Sequence, residues 1–390
     1  MVAPPWLSVP PVGYGGIENV LAVLVPALMK LGVDVELFTV GDSTIRATKN
    51  HSLYKSGQYD YIHRPMYDSM PILIAQILFA LRTTREAGNF DLIHCHNGFI
   101  GPLASVYSDD SLPPLVHTLH GPPFTTLDRL ERNIPDNLPM WREYGLAATN
   151  KVYFIGISEA LMRPAPHELK HMILKPVHNA VDPSLFPFLA EKSDYFATLA
   201  RSHPDKGQTI AVQAARKLGV KLKLAGVVAD LKRPRQVLME LANPLSRYRG
   251  IDDFRYFSDE IFPYLEEDQI EYIGDLSGQA KLDFLAGAKA LLFPIQWDEP
   301  FGMAPIEALA CGTPVVAMAR GALPEIIQHG VNGFLAHTTR EFMQYMRRVD
   351  EIDPVVCRRS VEERFSAHHM AREYLQRYKT ILRRTAGVRR

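Results

Sequence analysis

Two carboxylates, Glu299 and Glu307, are the residues whose spacing says most about chemistry in this chain. They sit in Trp297-Asp298-Glu299-Pro300-Phe301-Gly302-Met303-Ala304-Pro305-Ile306-Glu307, a segment that runs on through Ala308 to Ala317. The apolar run Ala290 to Phe293 reads as a strand leading into it. A helix is expected to open near Phe301-Gly302 and to close at Gly312-Thr313-Pro314. Glu299 then stands just ahead of a helix N-terminus, and Glu307 lies on the helix. At helical rise the two are about 12 Å apart. That is too far for both to serve one sugar carbon, as the pair of a retaining glycosidase does at roughly 5 Å. It suits two acids gripping opposite ends of an extended ligand, with the unpaired N–H groups of the helix start between them for an anion.

A second constellation is cationic. Arg201-Ser202-His203-Pro204-Asp205-Lys206-Gly207-Gln208 follows an expected strand, Phe196 to Leu199, and precedes an expected helix, Thr209 to Leu218. An Arg fork and a Lys point charge are the side chains suited to a diphosphate. A third is the glycine loop Gly13-Tyr14-Gly15-Gly16-Ile17-Glu18 before an amphipathic helix, Asn19 to Leu31. It does not follow Gly-x-Gly-x-x-Gly, so no nicotinamide fingerprint is present. By itself it reads as well as a tight loop without a ligand. Histidines form a fourth group. His94 and His96 end one strand, and His117 and His120 end the next. Ligands bind at the C-terminal ends of strands in open α/β sheets, so His96 and His120 are candidates for a cleft, with His94 and His117 structural. Alternation puts His94 and His96 on one face at separated heights, with no carboxylate at ligand spacing, so no metal site is expected.

The segment Trp297 to Ala317 closely resembles the Glu-x7-Glu signature of retaining glycosyltransferases of family 4. The resemblance implies an α/β chain with the GT-B fold, two Rossmann-like domains facing each other across a deep cleft. It implies that Glu307 binds the ribose hydroxyls of a nucleotide-sugar and that Glu299 lies beside the transferred sugar. The N–H groups at Phe301, Gly302, Met303 and Ala304 would face sugar and phosphate, and Arg201 and Lys206 would hold the diphosphate. Gly15 and Gly16 would lie near the donor phosphate and the acceptor. His120 would lie close to the transferred sugar and leaving phosphate. His96 and Gly274 are further cleft candidates. The implied reaction retains anomeric configuration by front-face attack, with Glu299, His120, Lys206 and Arg201 as the catalytic set. It uses neither metal nor cofactor, only a donor that is UDP- or GDP-linked, and a saccharide or small-molecule hydroxyl acceptor. Two rivals are another GT-B chemistry (a nucleotide-sugar epimerase or a phosphorylase) and a non-catalytic nucleotide-sugar binder. A phosphorylase using pyridoxal phosphate needs a Schiff-base lysine, and no clear candidate is seen.

The elements that must position these residues are short apolar strands alternating with helical stretches, which argues for parallel sheets covered by helices. In the first half the strands are Val35 to Val40, Leu92 to His94, Leu115 to Leu119 and Val152 to Ile157. In the second they are Phe196 to Leu199, Leu222 to Ala225, Glu271 to Ile273, Ala290 to Phe293 and Pro314 to Ala317. The irregular crossing Val177 to Pro183 resembles the family's Asn-Gly-Val-Asp segment, with Ala180 for Gly. It divides an acceptor-side domain, 1–180, from a donor domain, 181–369. A terminal helix within 370–390, with Met370, Tyr374, Leu375 and Tyr378 on one side, is expected to pack back on the first domain. Met70 to Leu81 is expected to be a buried helix with Pro71 in its first turn. Only Val2 and Ala3 remain of the family's first strand, a departure expected to cost stability. Leu231 to Asp253, with Arg233, Arg235, Arg247 and Arg249, is an extra charged stretch.

Composition excludes several classes. The chain has 390 residues, with 43 Lys and Arg against 43 Asp and Glu, so nothing points to nucleic acid. Lys379, Arg383, Arg384, Arg389 and Arg390 form a basic tail suited at most to peripheral contact with an anionic membrane. Cys95, Cys311 and Cys357 lack metal spacing and fit a reducing compartment, hence a cytoplasmic protein. No stretch is apolar and long enough to span a membrane.

Overall fold

A computed structural model describes residues 1–13, 15–62, 64–98, 102, 111–126, 130–131, 134–148, 151–265 and 268–388. Tyr14 of the glycine loop and Arg389 and Arg390 of the basic tail lie outside them. The chain divides into two compact units. Unit 1 is Met1–Ala180 with Ala367–Arg390, and unit 2 is Val181–Ser366.

Unit 1 holds β1 (Glu36–Thr39), β2 (Lys49–Ser52), β3 (Ile93–Cys95), β4 (Leu115–Leu119), β5 (Val152–Gly156) and β6 (Ile173–Leu174). All pairings are parallel, in the orders β1-β2 and β3-β4-β5-β6. The first residues of the sequence join the two sets. Val2 pairs in parallel with Phe38 of β1 and with Cys95 of β3. Its N–H donates to His94 O at 2.8 Å, and its carbonyl accepts from His96 N at 2.9 Å. Val2 and Ala3 are buried, so two residues occupy the central place expected of a full strand. Sequence patterning missed β2, a polar and mostly exposed edge strand without alternation, and β6, which has two residues.

The helix expected at Met70 to Leu81 is longer and not buried all round. It runs Met66–Ala87, so Pro71 falls inside it rather than in its first turn. Gln76, Ile77, Ala80, Leu81 and Thr84 are buried, whereas Tyr67 is 87% exposed and Leu78 55%. A uniformly apolar stretch cannot reveal which face a sheet will cover, and only one side of this helix meets the core. The terminal helix spans Ala367–Val388. Met370, Ala371, Tyr374, Tyr378 and Ile381 form a helical stripe that shares one apolar cluster with Leu21, Leu24 and Leu28 of the helix Gly16–Lys30.

Unit 2 is a six-stranded parallel sheet in the order β12-β11-β10-β7-β8-β9. The strands are β7 (Phe196–Leu199), β8 (Leu222–Ala225), β9 (Ile270–Gly274), β10 (Ala290–Phe293), β11 (Val315–Met318) and β12 (Gly333–Ala336). β12, which opens on a glycine, was not expected from the sequence. The chain builds outward from β7 to β9 and then returns to lay β10 against the other side of β7. That reversal is a topological switch point, and the loops leaving β7 and β10 diverge there. The stretch Leu231 to Asp253 contains the helix Pro234–Ala242 and the turn Arg247–Gly250. Arg249 donates to Asn243 O at 3.1 Å and Leu241 O at 2.9 Å, satisfying carbonyls at that helix's C-terminal end. Arg247 lies over the ring of Tyr248.

Tyr374 is fully buried, and its hydroxyl lies 3.1 Å from Thr118 Oγ1. Tyr374→Ala is expected to destabilise unit 1 by about 3–5 kcal/mol. Tyr374→Phe should cost only about 1 kcal/mol, the hydrogen bond alone. Urea unfolding followed by circular dichroism distinguishes them, and equal losses would contradict this packing.

Candidate functional site

In unit 2 the candidate residues converge because adjacent parallel strands end at the same edge of the sheet. The turn after β7 carries Arg201 and Lys206, and the loop after β10 carries Glu299. The two are fastened by backbone first. Gln296 N donates to Asp205 O at 2.7 Å. Gly207 has φ +66, and a Cβ there would collide with Pro294 O. On that frame Lys206 Nζ donates to Glu299 Oε2 at 2.9 Å. Trp297 Nε1 donates to the same oxygen at 3.0 Å, and Lys206 Nζ lies 5.2 Å from the Trp297 ring centre. The side chains of Lys206 and Glu299 keep 18% and 14% of their exposure. Removing either side chain would leave the other charge in a poorly hydrated place without its partner.

The helix after Glu299 spans Met303–Ala310, with Gly302 as N-cap at φ +112 and no side chain capping it. The amides of its first turn therefore have no partner within the helix. Phe301 is buried at its start. Glu307, one turn further on, accepts from Lys281 Nζ at 2.8 Å. The two signature acids are thus held by different lysines. Lys281, on the helix Gly278–Gly287, had no sequence signal of its own. The far end of the Glu307 helix is fixed by cations. Arg358 donates to Ala310 O at 2.6 Å and Lys192 to Cys311 O at 3.1 Å, where the helix dipole favours them. Burial pushes the Lys192 ammonium down to about 8.

A third loop, after β11, clamps the Glu299 loop from the other side. Ala322 N donates to Glu299 O at 2.9 Å, and Gly321 N to Asp298 Oδ1 at 3.2 Å. Gly321 has φ +54, and a Cβ there would strike the backbone of Glu299. Sequence reading missed Gly321, and only its place just after an apolar strand hinted at it. Gly274 has φ +82. Its carbonyl accepts from Gly226 N at 2.9 Å, and its missing side chain makes room for Lys232 O and Pro234. Beneath the Arg201 turn, Thr198 Oγ1, Ser202 Oγ and Gln208 Oε1 are buried without a protein partner. Their residues line a cavity of about 20 Å³, room for about one water molecule.

In unit 1 Gly15 is the N-cap of the helix Gly16–Lys30, and Gly16 is its first residue. A Cβ on Gly15 would press on Leu7 and Pro11. The histidines are closer together than alternation suggested. The rings of His94 and His96 are 4.0 Å apart, not at separated heights. His96 Nδ1 and His120 Nε2 lie 2.8 Å apart. His94 is engaged on both sides, 2.6 Å from Tyr378 Oη and 2.7 Å from Thr118 Oγ1. His96 Nε2 and His117 Nδ1 are buried without a partner. Burial holds all four rings neutral. It pushes His117 down to about 3 and the partly exposed His120 down to about 4, and it sets His94 and His96 well below the ordinary histidine value.

A family model described as Glycosyltransferase Family 4 matches residues 14–184, and one described as Glycosyl transferases group 1 matches residues 186–352. The chain is 25% identical over 394 aligned positions to D-inositol 3-phosphate glycosyltransferase of Mycolicibacterium smegmatis, covering 94% of this chain and 84% of that protein. It is 27% identical over 363 positions to the protein of the same name from Mycobacterium marinum, covering 84% and 72%. Among solved structures, sucrose-phosphate synthase from Thermosynechococcus elongatus aligns with a TM-score of 0.72 at 19% identity, over 97% of this chain and 98% of that one. Anabaena HepE in complex with UDP-glucose aligns with a TM-score of 0.63 at 16% identity, over 97% and 98%. Structural likeness at such identities shows a shared fold.

Gly321→Ala should push Glu299 off Lys206 while leaving the sheet intact. The expected result is an unchanged circular dichroism spectrum with turnover lowered at least about tenfold, a loss of at least about 1.4 kcal/mol. The buried histidines set a pH dependence. His117 titrates near 6.5 in the unfolded chain and about 3 in the fold. Its contribution is therefore complete above pH 6.5 and is lost as pH falls toward 3. Between about pH 7 and pH 5 the loss is about 2 kcal/mol. His117→Met should flatten the pH slope of urea stability by that amount, and an unchanged slope would mean that the ring is not held neutral.

Proposed function

Because the chain belongs to glycosyltransferase family 4 and has the GT-B fold, we propose that unit 2 grips a nucleoside-diphosphate sugar and that transfer retains the anomeric configuration without a metal ion. The observation that carries this reading is the Lys206–Glu299 pair at 2.9 Å, set beside the uncapped start of the helix Met303–Ala310. A diphosphate placed there meets a lysine, an arginine and the positive end of a helix.

The anomeric carbon–oxygen bond breaks as the nucleoside diphosphate leaves, and the acceptor oxygen bonds to the same carbon from the same face. The acceptor's proton passes to the departing phosphate oxygen. Negative charge grows on that phosphate, so groups already aimed at it accelerate the step without reorganising. Lys206, Arg201 and the amides of Gly302, Met303 and Ala304 have that role. Once phosphate engages Lys206, Glu299 is released to accept from the hydroxyls of the transferred sugar. Glu307 accepts from the ribose hydroxyls, sharing its carboxylate with Lys281. Unit 1 is the acceptor side, where Gly15 and Gly16, near the donor phosphate and the acceptor, and the partly exposed His120 are the proposed contacts; His96, expected from the sequence to face a cleft, is fully buried and acts only through His120, 2.8 Å away. A neutral His120 can donate to or accept from a sugar hydroxyl. The relatives named D-inositol 3-phosphate glycosyltransferase make a phosphorylated polyol the first acceptor to try.

Thermal shift with UDP, GDP and ADP, each with and without its sugar, is run in EDTA. A clear shift with one nucleotide is expected, and product from that donor should keep its anomeric configuration by NMR. Glu307→Ala should weaken donor binding by about 1–3 kcal/mol. Lys206→Ala should depress kcat by about 10²–10³-fold. No shift with any nucleotide, or wild-type kinetics in both variants, would overturn the assignment.

A further inference from the structure

The Arg201–Lys206 turn carries two cations for a diphosphate, and each already has a carboxylate. Lys206 has Glu299, which belongs to the signature. Arg201 has Asp253, which belongs to none. Asp253 closes the extra stretch Leu231 to Asp253 and lies in the helix Asp252–Tyr256. Its Oδ2 is 3.5 Å from Arg201 Nη1, and its Oδ1 is 3.8 Å from His203 Nε2. His203 Nδ1 accepts from Asp205 N at 3.0 Å, so a neutral His203 carries its proton on Nε2, the nitrogen that faces Asp253.

The two pairs differ in depth. Lys206 and Glu299 are both largely withdrawn from water, whereas the Arg201 side chain is 56% exposed and Asp253 16%. An ion pair with one exposed partner is weak and screened by salt, so a diphosphate can take Arg201 from Asp253. The carboxylate has little room to leave, because its helix is packed in place by the buried Phe254. It therefore stays beside the incoming phosphate as a like charge.

We propose that Asp253 is a donor-affinity determinant: it pairs with Arg201 and competes with the diphosphate of a nucleotide-sugar for that guanidinium. This rests on the reading that Arg201 and Lys206 hold the diphosphate. Asp253 weakens capture of donor and hastens release of the nucleoside diphosphate, and the stretch Leu231 to Asp253 is what delivers it. Glu299 has a sugar to receive when it gives up Lys206. Asp253 has no such exchange, so its charge acts on affinity.

The test is calorimetric titration of the full chain with UDP, GDP and ADP, using wild type, Arg201→Ala, Asp253→Asn and the double variant. Asparagine keeps the shape of the side chain while removing the charge. Asp253→Asn is expected to bind the nucleotide on the order of 2- to 5-fold more tightly. The gain should shrink as salt is raised and should diminish in the Arg201→Ala background. An affinity that falls or stays the same in Asp253→Asn, while Arg201→Ala weakens binding, overturns the proposal. A fall would make Asp253 a positioning residue for Arg201. If Arg201→Ala binds like wild type, or if wild type binds none of the three nucleotides, the diphosphate reading itself fails and the proposal with it. Unchanged melting of the unbound variants checks that the fold is kept.

Discussion

Lys206 and Glu299, 2.9 Å apart and both largely withdrawn from water, tie the turn after β7 to the loop after β10. The pair exists because β10 returns to lie against β7 instead of extending the sheet beyond β9. Parallel neighbours end at the same edge, so the two loops meet there. The charges are then within reach without any strained backbone other than that of glycines. Gly207 lets the turn approach Pro294, and Gly321 lets the loop after β11 approach Glu299. A pair so desolvated cannot lose one member cheaply. It can exchange one partner for another of the same charge, and under the proposed function a phosphate is that second partner for Lys206. Ordering in the fold and readiness for an anion have the same physical origin.

Unit 1 handles its polar interior differently. Four histidines gather at the ends of β3 and β4, where burial removes their charge. The hydroxyls of Tyr374 and Tyr378, brought in by the terminal helix, lie within hydrogen-bonding distance of Thr118 and His94. A neutral imidazole can donate at one nitrogen and accept at the other, so a cluster of them can be satisfied partly from within. The same helix supplies the apolar stripe that covers Leu21, Leu24 and Leu28. Its tyrosines thus serve both packing and polar satisfaction, which a single aliphatic helix could not.

Much of this was legible beforehand. The signature acids, the cationic turn and the alternation of strands and helices are local patterns, and local patterns survive into the fold. What was misread had no local signal. Met66–Ala87 looked buried because its middle is apolar almost all round, yet only the side carrying Ile77, Ala80 and Leu81 is buried. His94 and His96 looked separated because spacing along a strand says nothing about how two rings tilt toward each other. Lys281 and Asp253 carried no motif, and each gains its meaning from a partner distant in the chain, Glu307 and Arg201.

The sequence by itself determined the family and the α/β class, and it singled out the acids and cations that the proposed function assigns to a nucleotide-sugar. It did so because phosphate and hydroxyl recognition requires particular side chains at particular offsets from a strand end or a helix start. Tertiary structure alone decided which charges neutralise which, how two residues at the chain's start bridge a sheet, and which carboxylate faces Arg201. Those outcomes depend on strand order and on loops that touch across the end of a sheet. Contacts of that kind join residues as far apart as Lys206 and Glu299, and no periodicity along the chain encodes them.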